Sequence, residues 1–301
     1  MFLLTLKQVV NLFLFMILGY VLSKKKIMPR ETANVFSKLL VWVCSPALYL
    51  NTFSTQFSSE ELKKSLVLIL AAVVALAVSY FGALLLRKPI SRDGYSQNVF
   101  IYSACIPNFG YMGNVLILAL IGQTALLQFQ IFVIPFTIFM VTGGYSLLLD
   151  RKTGIKGIIN PMIIALFAGI ILGLLNLRLP DFVCDMLTGA SDCMGPISMI
   201  LAGCVIADFD LKKIISRPEV YRILAICMVI KPLIVVLIGK AFRIPQDIFF
   251  PLLAFNALPT GLNSIVYPST VNKDCSLGAG LALVSNILAI VTVPLFFSLA
   301  V

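Results

Sequence analysis

Two stretches of this 301-residue chain combine proline, glycine and asparagine in uncharged, apolar surroundings: ACIPNFGYMGNVLIL at 104–118 and AFNALPTGLNSIVYP at 254–268. Proline removes a backbone donor, and each glycine costs roughly 1 kcal/mol against alanine in a helix interior. The first stretch lies in a run, 94–149, of 56 residues without Asp, Glu, Lys or Arg, long enough for two membrane spans. Each stretch is therefore expected to be two half-helices joined by unwound backbone, which at membrane depth is tolerated only where protein buries it or it lines a wet cavity. One half-helix start presents amide donors and the other half-helix end presents carbonyls; the positive end suits a carboxylate. The candidate binding residues are Asn108, Gly110, Gly113 and Asn114 beside Pro107, and Asn256, Thr260, Gly261, Asn263 and Ser264 beside Pro259. Their amide and hydroxyl groups donate and accept without a buried full charge. The competing expectation is that they only satisfy backbone groups freed by the prolines. Asn11, Asn51 and Asn286 are weaker candidates, equally suited to joining helices.

Lys231, in AICMVIKPLIVVL, is the basic residue placed well inside an apolar span. A lysine there costs about 2.5–3.5 kcal/mol on insertion scales, so it should face protein or water and take a partner. That partner could be an anionic substrate or a carboxylate such as Asp208; the lysine could equally snorkel or tie helices together. No phosphate-binding Gly-x-x-x-x-Gly-Lys-Ser/Thr occurs, nor a His-Glu metal motif, and the chain has no histidine. No enzyme, metal site or cofactor is expected from such a residue set. Seven cysteines follow no C-x-x-C pattern. Cys44, Cys105, Cys204 and Cys227 are expected to pack as small apolar residues, while Cys184 and Cys193 share one loop and could pair if it faces outward.

Hydrophobic residues make up 60% of the chain and charged residues 12%, with a mean hydropathy of +1.02, which excludes an ordinary soluble domain. The elements that must position the two stretches are about ten apolar spans, expected at 5–23, 34–53, 65–86, 96–121, 127–149, 157–177, 190–208, 220–241, 247–270 and 277–299. The first is read as a retained span, because its basic residues follow it rather than precede it. The net charge of +10 is scattered among loops without aromatic interleaving, so no nucleic-acid partner is expected. Lys24, Lys25, Lys26, Arg30, Lys38, Arg87, Lys88, Arg92, Arg151, Lys152, Lys156, Lys212, Lys213, Arg217, Arg222 and Lys273 follow odd-numbered spans; Lys7, Lys63, Lys64, Arg178, Lys240 and Arg243 lie on the other side. That bias makes the first side cytoplasmic and places both termini outside.

Prolines mark a duplication. Pro29 aligns with Pro180, Pro46 with Pro196, Pro89 with Pro245, Pro107 with Pro259 and Pro135 with Pro294, at offsets of roughly 150–160 residues. The expected fold is an all-α polytopic membrane protein of ten helices, in two five-helix repeats at 1–150 and 151–301. Five is odd, so the second copy is inverted, and broken spans four and nine should cross near the midplane.

The segments VCSPALYLNTF, IPNFGYMGNVLILALIGQTAL and NALPTGLNSIVYPSTVNKDCSLGAGLALVSNILAIVTVPLF resemble the auxin efflux carrier family over the whole chain. The resemblance implies crossed broken helices, a scaffold of spans 1, 2, 6 and 7, a moving domain of spans 3–5 and 8–10, an elevator-type mechanism, an organic anion as substrate, and a homodimer. It does not imply the long cytoplasmic loop of the plant carriers, since only about 150–157 separates the halves here.

The functional expectation is a secondary carrier in the cell membrane that exports a small carboxylate or auxin-like anion. Two alternatives stand beside it. One is a sodium- or proton-coupled symporter of the bile-acid type, although the two broken stretches contain no Asp or Glu. The other is a membrane receptor that binds without transporting.

Overall fold

The computed structural model describes residues 1–29, 31–149, 160–269, 271 and 273–300. The basic residues Arg30, Arg151, Lys152 and Lys156 lie outside them. The regular structure of the described residues is all helical, with no β-strand and one isolated β-bridge.

The main helices are α1 (Phe2–Lys24), α2 (Thr32–Gln56), α3 (Ser59–Ile90), α4 (Gly94–Cys105), α5 (Phe109–Leu120), α6 (Gln123–Phe132), α7 (Ile134–Leu149), α8 (Pro161–Leu174), α9 (Asp181–Ala207), α10 (Pro218–Ala241), α11 (Gln246–Ala257), α12 (Asn263–Ser269) and α13 (Ser276–Ala300), with a short helix, Leu211–Ile215, between α9 and α10. Six of them are long and apolar enough to cross a membrane: α1, α2, α3, α9, α10 and α13; α6 and α7 together make a seventh. Large apolar side chains such as Leu85, Phe242 and Leu3 stand on their surfaces, 82%, 78% and 76% exposed. A polytopic membrane protein accounts for that pattern, because lipid is as apolar as those side chains.

Among the described residues length alone yields six or seven spans, not the ten expected, and in two of the remaining regions the helix is interrupted at a proline. The region expected as span four is divided into α4 and α5 around Pro107, and that expected as span nine into α11 and α12 around Pro259. Span five bends by 47° between α6 and α7. Pro135 sits in the first turn of α7, the position a helix tolerates best, so the chain restarts there at a new angle. Between α5 and α6 the turn is made by Gly122 at φ 105°, a left-handed conformation that side-chain-bearing residues rarely adopt.

Small residues set the packing. At Gly203 of α9, a Cβ would lie 2.0 Å from the Met16 carbonyl oxygen of α1, and at Gly19 one would lie 2.2 Å from the Ile200 carbonyl oxygen. Gly169 and Gly173 of α8 approach the backbone around Phe53 of α2 and Phe57 just beyond its end in the same way. Such backbone contact is how helices associate where no hydrophobic gain is available. Asn51 of α2 adds a polar tie, its Nδ2 donating to Thr188 Oγ1 of α9 at 3.1 Å.

Around the broken segments the core is aromatic. Phe255, at the end of α11, contacts Phe136 with ring centroids 4.1 Å apart, and Phe132 and Phe109 at 5.7 Å each. Pairs of this kind add about 0.5–1.5 kcal/mol beyond the area they bury. They seat the second broken segment on the first segment and on α6–α7.

Candidate functional site

The two unwound segments meet backbone to backbone. Pro107 and Thr260 form the isolated antiparallel bridge, and the Asn108 amide donates to the Pro259 carbonyl at 2.8 Å. The reason is local. Pro107 has no N–H to return to the carbonyl of Ser103, so the α4 ladder ends, and the Asn108 amide turns across to the other half instead of back to Ala104. The Phe109 amide then closes a tight turn on the Pro107 carbonyl at 2.8 Å, and the Asn108 carbonyl accepts from Met112 and Gly113 to start α5. On the opposite side, the Thr260 amide and hydroxyl both meet Ser285 Oγ of α13, at 3.2 and 3.0 Å. Ser264 Oγ donates to the Gly261 carbonyl at 2.9 Å.

Lys231 completes this arrangement. Its Nζ donates to the Ala104 carbonyl, the acceptor left over once the Asn108 amide has been diverted. An ammonium at the last turn of α4 also opposes the negative end of that helix. Asp208, the carboxylate considered as its partner, is exposed at the end of α9.

A cavity of about 440 Å³ opens on the junction. Its floor is Pro107, Asn108, Gly110 and Tyr111 from one segment and Gly261, Asn263 and Tyr267 from the other; Ser37, Val41 and Ser45 of α2, Met140, Val141 and Tyr145 of α7, and Asn160 and Met162 form the walls. Among the described residues, no charged side chain lines it. Asn108 Nδ2 is buried without a partner. The rings of Tyr145 and Tyr267 stand edge to face, 5.1 Å apart. At Gly110 a Cβ would meet nothing within 4 Å, so the backbone there is open to the cavity.

The other candidates frame the junction rather than line this cavity. Asn114 Nδ2 donates to the Gly110 carbonyl at 3.2 Å and Asn256 Nδ2 to the Leu252 carbonyl at 2.8 Å, each one turn back along its own helix. The Asn114 side chain borders a separate cavity of about 240 Å³ shared with Leu48, Ser191 and Asp192. Gly113 admits the Leu258 side chain, whose Cδ1 would lie 2.7 Å from a Cβ there. Thr260 and Ser264 are buried in the bonds described above. Asn263 Nδ2 rests on the Met140 sulfur at 3.1 Å, at the cavity wall. Asn286 returns to the Ala282 carbonyl of its own helix at 2.7 Å. Cys184 and Cys193 are free thiols, not a disulfide.

Sequence reasoning missed the walls. Ser37, Val41 and Ser45 recur every four residues, one face of a helix, and could have been found by that spacing. The tyrosines carry no such signal. A further feature is invisible to pattern reading: one-turn π-helical segments at Leu40–Cys44, Phe109–Gly113 and Met140–Gly144 each contribute to the cavity. Such bulges widen a helix by one residue per turn and are frequent at functional sites.

The site's polar groups are amides, hydroxyls and backbone, and among the described residues no group of three or more His, Cys, Asp or Glu could hold a metal. A polytopic helical membrane protein with a polar cavity at a backbone break is the class these observations define. The family of membrane transport proteins matches residues 4–156 and 147–297, and the chain belongs to it, the family of the auxin efflux carriers. That is a family of transporters, not of enzymes. No curated protein matches the chain.

Proposed function

We propose that the protein is a secondary carrier that exports a small organic anion, a carboxylate with an apolar body, by alternating access. The observation that carries the proposal is the junction. Backbone from two distant segments joins at Pro107–Thr260 and Asn108–Pro259 and floors a 440 Å³ cavity offering the amides of Asn108 and Asn263. Binding cavities for small ligands run from about 300 to 1,000 Å³ and place a few polar groups in apolar walls. The anion is taken up by amide and hydroxyl donors, with Lys231 behind α4 as the nearby cation. Thr260 and Ser264 hold the unwound backbone in place, Asn114 and Asn256 brace the helices on either side of it, and Gly113 gives room for Leu258.

In this reading the chain forms ten spans as two inverted five-helix repeats, with spans four and nine crossing at the junction. The backbone-close packing of α1 on α9 and of α2 on α8 supports a rigid scaffold, against which the remaining helices move as an elevator. Two copies associate through that scaffold. Loops after odd-numbered spans face the cytoplasm, and both termini lie outside the cell membrane. An elementary charge crossing 100 mV is worth about 2.3 kcal/mol, so an inside-negative membrane expels a monoanion without a coupled ion.

The test is counterflow in proteoliposomes loaded with mono- and dicarboxylates, an indole acid included, with and without sodium and a pH gradient. Sodium-independent counterflow of one carboxylate class, with an electrogenic current on net efflux, is expected, both lost in Asn108→Ala and Asn263→Ala proteins that still elute as folded species. Exchange requiring sodium would move the reading to a symporter. Binding that saturates at one ligand per protein without exchange would leave a receptor.

A further inference from the structure

We infer that the protein binds a phosphate group, of the kind carried by anionic lipids, in a second cavity where α3 ends and α4 and α10 begin. This site is independent of the transport reading. The cavity measures about 660 Å³ and is lined by Lys88, Pro89, Ser91, Arg92, Asp93, Glu219 and Arg222. Its three cations come from two parts of the chain that only folding brings together.

The groups are already arranged for an anion. Arg222 is pinned by one Nη1 bond to the Pro89 carbonyl at 3.0 Å, which orients its planar fork while leaving further N–H groups to donate. Asp93, the nearest carboxylate in sequence, turns its Oδ2 to the Ser96 amide at 2.7 Å. That bond keeps its carboxyl ionised, below the ordinary range, with one oxygen directed to the start of α4. Ser91 Oγ accepts from the Asp93 amide at 3.2 Å, so its own hydroxyl hydrogen is available to a ligand. Lys88 and Arg92 are exposed. Three cations, Lys88, Arg92 and Arg222, stand against the two carboxylates of Asp93 and Glu219, leaving the cavity lining net positive.

Beside this polar pocket runs apolar, outward-facing surface. Leu85, Leu86 and Phe81 lie within two turns below Lys88 on α3, and Tyr221, 53% exposed, neighbours Arg222 on α10. A pocket that is cationic at the helix end and apolar along the helix matches an anionic headgroup with its acyl chains.

The experiment is thermal unfolding and native mass spectrometry of the detergent-solubilised full chain, titrated with short-chain phosphatidylglycerol, with short-chain phosphatidylcholine, or with inorganic phosphate. Saturable stabilisation by phosphatidylglycerol over phosphatidylcholine is expected. At about fivefold per cation, the Lys88→Gln/Arg92→Gln double variant should bind roughly 30-fold more weakly. Lys7→Gln, in the first helix and remote from the cavity, should bind as the parent does. A shift with inorganic phosphate alone would support the phosphate site and identify free phosphate as its occupant. Equal effects of the two lipids with no response to phosphate would overturn the inference. So would full phosphatidylglycerol binding by a folded double variant.

Discussion

Replacing Lys231 by methionine separates a structural tie from a functional charge. The substitution keeps an unbranched apolar stem of similar reach but deletes the ammonium that serves the Ala104 carbonyl. Ala104 is buried, and leaving its carbonyl unpaired costs about 1–3 kcal/mol. Against this, removing a lysine from within a span recovers about 2.5–3.5 kcal/mol of insertion cost. The two nearly cancel, so Lys231→Met should melt within a few degrees of the parent or slightly above it. Exchange should behave differently. The ammonium holds the last turn of α4 against the Pro107–Asn108 turn, and a hydrogen bond from a charged group is worth about 1.5–3 kcal/mol. If that energy maintains the binding-competent junction, its loss weakens apparent affinity by a factor of about 10–150. Lys231→Arg, which can still reach a carbonyl, should recover part of it. Thermal unfolding and counterflow on the same purified proteins are the assays. A Lys231→Met protein that unfolds many degrees lower would show the lysine to be a tie that the cancellation missed. One with parental exchange would show that neither its charge nor its bond serves the site.

Two further outcomes follow from local geometry. Gly203→Ala would press a Cβ to 2.0 Å from the Met16 carbonyl, forcing α1 and α9 apart; overpacking of this kind costs about 1–3 kcal/mol, read as a lowered melting temperature with the Gly203→Ser protein lower still. Asp93→Ala removes the cap at the α4 N-terminus, a loss of about 1 kcal/mol. Because the Asp93 carboxyl is held below its ordinary range, its contribution is present above the unfolded value and disappears as pH falls through the folded one. The melting difference between Asp93→Ala and parent should therefore be full at neutral pH and vanish in acid; a difference that persists or grows in acid would contradict the cap.

Read from the chain alone, the two breaks were legible because proline and glycine act locally: a missing N–H at Pro107 ends a helix wherever the helix lies. The membrane class was legible for an equally simple reason, since 60% hydrophobic residues cannot be buried in a domain of this size in water. The bend at Pro135 was a local signal too, but its effect on span length was not read. What tertiary structure decided was the choice of partner for each group those breaks set free. The Asn108 amide goes to Pro259, the Ala104 carbonyl to Lys231 and the Thr260 backbone to Ser285, and no spacing rule connects residues so far apart. Asparagines that look alike in sequence were likewise divided in space: Asn108 and Asn263 reach the cavity, whereas Asn114 and Asn256 turn back on their own helices. A free hydrogen-bonding group is a local consequence of composition; which group satisfies it depends on distances that exist only once the helices have packed.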